Sequence, residues 1–68
     1  MDISYNKLWK VLIDKNMKKI DLKEIAGISS SSLAKLGKNE PVTLEVLMKI
    51  CEALDVNIGD IVEFIKKV

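Results

Sequence analysis

A chain of 68 residues and 7.6 kDa has room for one small domain, and 49% apolar with 31% charged residues excludes a disordered tail. A domain of this size buries only about 60% of the surface its unfolded chain exposes, so a partner subunit or ligand is expected and a large enclosed active site is not. No apolar run reaches membrane-spanning length, and residues 1–5 lack the basic region and apolar core of a signal peptide. One cysteine and no histidine exclude a disulfide framework and a Cys/His zinc site. The expected location is the cytoplasm.

Net charge is only +1, but it is unevenly placed. Residues 1–38 hold eight lysines against four acids, a balance of +4; residues 39–68 hold three lysines against six acids, a balance of −3. A domain polarised in this way can turn a basic face to phosphates and keep its acidic side away. All eleven cations are lysine, so every cationic contact is a point charge and the arginine fork that reads guanine bidentately is missing.

Helical periodicity runs nearly end to end, and no strand pattern stands out. A first helix is expected from about Ser4 to Asn16, with Leu8, Val11, Leu12 and Lys15 on one stripe and Tyr5, Trp9 and Ile13 on an adjoining one. A short second helix spans about Lys19 to Ala26, with Leu22, Ile25 and Ala26 inward, and Gly27 stops it in a left-handed conformation. Ile28 is a buried plug in the turn, and Ser29 caps a third helix, about 30–36, that buries Leu33 and Leu36. Residues 37–41, which include Gly37 and Pro41, break it.

Thr43 caps a fourth helix from Leu44 to Leu54, whose inward stripe is read as Leu44, Leu47, Met48, Cys51 and Leu54. Met17 and Met48 are expected to fill core gaps, and Cys51 to be a small buried hydrophobe rather than a nucleophile. Asn57 opens a fifth helix, about Ile58 to Lys67, with Asp60 in its first turn and Lys66-Lys67 in its last. The expected class is therefore all-α, a compact five-helix domain.

The informative stretch is Leu22 to Leu36, Leu-Lys-Glu-Ile-Ala-Gly-Ile-Ser-Ser-Ser-Ser-Leu-Ala-Lys-Leu. A short helix, a turn on one glycine, an apolar plug, a serine cap and a second helix define a helix-turn-helix unit, about 19–36. Small polar side chains on the second helix let it approach base edges closely, and its free N–H groups attract phosphate.

With Leu22, Ala26-Gly27-Ile28-Ser29 and Leu33-Ala34-Lys35-Leu36, then Val42-Thr43-Leu44-Glu45, Leu47, Ile50-Cys51 and Ala53-Leu54, then Gly59-Asp60-Ile61, the chain resembles lambda-repressor-like (Xre-type) helix-turn-helix domains from about residue 8 to 64. The resemblance implies sequence-specific binding of double-stranded DNA by a dimer on a roughly palindromic operator, and regulation of transcription. It implies that Ser30, Ser31 and Lys35 face bases. Ser29 and Ser32, at the edge of that surface, and Lys18, Lys19, Lys38 and Asn39 would meet phosphates. Many relatives hold a buried Arg–Glu pair between the first helix and the end of the recognition helix; Leu12 and Gly37 stand there instead, so no charge is orphaned.

A homodimer is expected through Ile58, Ile61, Phe64, Ile65 and Val68, because the fifth helix carries more apolar positions than one chain can cover. The leading reading is a DNA-binding regulator, a repressor by the family resemblance, without cofactor, metal, membrane partner or small-molecule substrate. The alternative is a protein-interaction module of the same fold, an antitoxin or anti-repressor partner. An enzyme is disfavoured, since the sequence offers no histidine, phosphate loop or metal set.

Overall fold

In the computed structural model, which describes residues 1–66, the chain forms β1 (Asp2–Ser4), α1 (Asn6–Asp14), α2 (Lys19–Ala26), α3 (Ser30–Gly37), α4 (Leu44–Leu54), a 3-10 turn (Ile58–Asp60) and β2 (Glu63–Ile65). The core draws Leu8 and Leu12 from α1, Leu22 and Ala26 from α2, Leu36 from α3, and Leu47, Ile50 and Leu54 from α4; Tyr5, Ile28 and Ile61 close it from the connections. Leu12 stands buried as an apolar member of that core.

The four helices end alike. Each runs into a residue in the left-handed region, Asn16 (φ 55°), Gly27 (φ 66°), Asn39 (φ 55°) and Asp55 (φ 55°). In each the next residue's N–H reaches back five positions: Met17 to Leu12 O at 2.9 Å, Ile28 to Lys23 O at 3.2 Å, Glu40 to Lys35 O at 2.9 Å, and Val56 to Cys51 O at 3.0 Å. This is the Schellman arrangement, which satisfies carbonyls the helix leaves open, and Gly, Asn and Asp tolerate its positive φ best. Asn39, not Gly37, therefore ends α3, one residue later than the sequence suggests.

Helix starts follow the polar caps. Ser29 accepts the Ser32 N–H at 3.1 Å, and Thr43 accepts the Val46 N–H at 3.2 Å. Lys18 has no acceptor to offer at the start of α2, so Asp21 works from the other side, its carboxylate accepting the Lys18 N–H at 2.9 Å. At α1, Ser4 is buried in β1 and accepts the Asn6 N–H at 3.2 Å, which starts the helix two residues later than the periodicity predicts.

The C-terminal region corrects the five-helix expectation. After the 3-10 turn the chain extends and pairs antiparallel with β1 in the register Asp2↔Ile65, Ile3↔Phe64, Ser4↔Glu63. Gly59 is a poor helix former, and Ile61, Val62, Phe64 and Ile65 are residue types that favour strands. The deciding factor is a pairing partner at the other end of the chain. Asn57 still opens its turn, but by donating its N–H to Asp60 Oδ2 at 3.0 Å.

Two further expectations change. The inward stripe of α4 is Leu47, Ile50 and Leu54, while Leu44 and Met48 are 64% and 63% exposed, so Met48 fills no core gap. On α2, Ile25 faces outward with 52% exposure, leaving Leu22 and Ala26 as its buried face. Both helices have more apolar positions than one contact face holds, so composition alone could not choose the face.

Candidate nucleic-acid interface

α3 divides cleanly. Leu36 is fully buried and Leu33 half-buried, which turns Ser30, Ser31, Ala34 and Lys35 outward as exposed residues, with Ser32 half-buried at the edge. Eight residues of helix span about 12 Å, close to the width of the DNA major groove. The serines are organised around Ser29. Its hydroxyl donates to Ser32 Oγ at 3.1 Å and lies 3.1 Å from Ser31 Oγ. A hydroxyl has one proton to give, so Ser31 is the donor in the second contact. Ser31 thus spends its proton on Ser29 and keeps its lone pairs as acceptors on an exposed side chain. Ser30 makes no side-chain hydrogen bond among the described residues and stays free to donate or accept.

Lys18, Lys19, Lys35 and Lys38 are exposed, and none of them forms an ion pair among the described residues. Their charge is not spent within the fold. Lys18 and Lys19 mark the start of α2, and Lys38 follows the last turn of α3. Lys19 alone has an internal contact, its Nζ lying 4.4 Å from the Trp9 ring centroid.

Asn39 carries a structural duty as well as an exposed position. Its Oδ1 accepts the Tyr5 N–H at 3.3 Å, and the Tyr5 hydroxyl donates to the Glu40 carbonyl at 2.8 Å. Tyr5 therefore clasps the segment that leaves α3, and the Asn39 NH₂ group remains available for a phosphate. Burial pushes the Tyr5 phenol up from its ordinary value, and a backbone contact with Val42 offsets part of that rise. Helical periodicity assigns Tyr5 only to an apolar stripe, because this clasp joins it to residues 34 and 35 positions away.

The residues expected at a dimer face do not share one surface. Ile61 is fully buried in its own core, and Val68 lies outside the described residues. Phe64 and Ile65 are exposed but adjacent on a strand, which sends them to opposite faces of the sheet. Ile58 borders a shallow apolar groove with Leu44, Met48, Cys51 and Val56. Burial pushes the Cys51 thiol up, and the Asp60 charge adds to the rise, so Cys51 stays a protonated, half-buried apolar group rather than a buried one.

Among the described residues no helix is long and apolar enough to cross a membrane. A solved structure of the transcriptional regulator VanUg is similar to this chain at 60% identity with a TM-score of 0.88, covering 91% of this chain and 83% of that one. No curated protein matches the sequence. The family model for Cro/C1-type helix-turn-helix DNA-binding domains matches residues 7–67. With the capped α3 standing outward on the Gly27 turn, that match over nearly the whole length means that the chain belongs to the Cro/C1-type helix-turn-helix DNA-binding family.

Proposed function

We propose that this chain is a sequence-specific DNA-binding transcriptional regulator, acting as a repressor, that inserts α3 into the major groove as a homodimer. The observation that carries the reading is the outer face of α3, where Ser30, Ser31 and Lys35 stand exposed above a buried Leu36. Ser29, Ser32, Lys18, Lys19, Lys38 and Asn39 frame that face and are assigned to phosphates. Serine and lysine provide no bidentate base pairing, so each half-site is read modestly. Two half-sites about 34 Å apart recover specificity through effective concentration. Leu44, Met48 and Ile58 supply the apolar surface for the second copy, the acidic half being kept from the DNA.

The same apolar groove favours a second reading, an interaction module that binds a different protein, as an antitoxin does. One experiment separates them. Random duplexes are selected on the purified protein, and the winner is titrated across a salt series beside a Ser31→Glu/Lys35→Glu variant. The regulator reading expects a palindrome, a steep salt slope, and at least tenfold weaker binding by the variant with unchanged melting. No enrichment, and equal weak binding by both proteins, would remove sequence-specific recognition and leave the partner-protein reading.

A further inference from the structure

The Trp9–Lys19 contact joins α1 to the first residue of α2. The indole is half-buried and packs against the core, in a cleft it shares with Leu12, Met17 and Lys18. It is an anchored platform. Lys19, by contrast, is exposed and has no side-chain hydrogen bond or ion pair among the described residues, so the ring is what restrains it. An ammonium over an indole face is drawn by the ring quadrupole without giving up its three N–H donors. In a helix-turn-helix unit the first helix crosses the DNA backbone, which puts the start of α2 beside a phosphate.

A free lysine loses rotamer freedom when it engages a phosphate. A lysine already leaning on an aromatic ring has given up part of that freedom before DNA arrives, so less of the contact energy is lost on binding. We propose that Trp9 is a positioning residue for DNA binding, holding the Lys19 ammonium at the start of α2 for a backbone phosphate; this rests on the reading of the chain as a DNA-binding regulator. Trp9 touches no DNA itself. It acts through Lys19.

The test is a double-mutant cycle on the full chain with the selected duplex, measured across a salt series. Lys19→Met should weaken binding roughly threefold to tenfold and lower the salt slope by about two, one for each protomer of the dimer. Trp9→Leu should weaken it roughly threefold although it removes no charge, and Trp9→Phe should recover part of that loss. In the Lys19→Met background, Trp9→Leu should cost nothing further. Melting curves accompany each protein, and if Trp9→Leu is unfolded at the assay temperature the cycle is completed with Trp9→Phe. Losses that simply add, with Trp9 mattering as much without Lys19 as with it, would overturn the proposal while leaving DNA binding intact. Failure of the parent chain to bind any duplex would overturn the DNA-binding reading and this proposal together.

Discussion

The outer faces of α3 and α4 meet the same problem, a short helix with more surface than the core can cover, and answer it oppositely. α3 turns serines and Lys35 to solvent and organises two of its hydroxyls, Ser31 and Ser32, around the Ser29 cap. α4 buries Leu47, Ile50 and Leu54 and leaves Leu44 and Met48 exposed beside Ile58. The first face is small, polar and flanked by uncommitted lysines, which suits a hydrated polyanion. The second is apolar and suits another protein surface. Under the proposed function the two helices divide the work, one towards nucleic acid and one towards a second copy.

The comparison breaks first at the shared core. Leu36 is fully buried and holds α3 to the rest of the domain. Leu36→Ala is expected to cost about 2–5 kcal/mol, a large part of the stability of so small a domain. Thermal or denaturant unfolding should show the loss, and both surfaces should fail together. Retained DNA binding at full strength would show that α3 is held by something other than Leu36.

A milder pair of changes separates the faces. Ser29→Ala and Thr43→Ala each remove a serine or threonine cap that accepts one backbone N–H, at about 1 kcal/mol apiece. Their melting temperatures should fall by similar amounts. Only Ser29→Ala should also weaken DNA binding, because it frees Ser31 and Ser32 as well as fraying α3. Equal binding by the two variants would mean that the serine cluster contributes stability alone.

The smallest effect lies between the faces, where Tyr5 clasps the loop from α3 to α4. Tyr5→Phe removes the 2.8 Å bond to the Glu40 carbonyl, a change of about 0.5–1.5 kcal/mol at neutral pH. Because burial raises the phenol in the folded state, its contribution is fully present below the unfolded value of about 10 and is lost as pH rises above it. The parent should therefore lose stability more steeply than Tyr5→Phe in denaturant titrations at alkaline pH. Parallel curves would show that Tyr5 ionises as easily folded as unfolded.

Much of this was legible in residue types. The Gly27 turn, the Ile28 plug, the Ser29 and Thr43 caps and the 44–54 helix are local devices, in which a few neighbouring residues satisfy one another's backbone groups. Asn16, Asn39 and Asp55 are local devices of the same kind, each taking the left-handed conformation that ends its helix. The exposed serines and lysines followed because one helix face was already committed to Leu36.

By itself the sequence determined four helices, the Ser29 and Thr43 caps, the Gly27 stop, and the polar character of the α3 outer face, since each depends on contacts within a few residues. Tertiary structure decided the rest. Residues 58–66 read as a helix by apolar spacing and become a turn and a strand because Asp2–Ser4, from the opposite end of the chain, supplies the ladder. The same packing drew Ile61 inward, turned Met48 and Ile25 outward, and brought Trp9 under Lys19. Helix periodicity names the candidates for burial, but which of several apolar faces is covered depends on elements distant in the chain, and those are fixed only when the whole core closes.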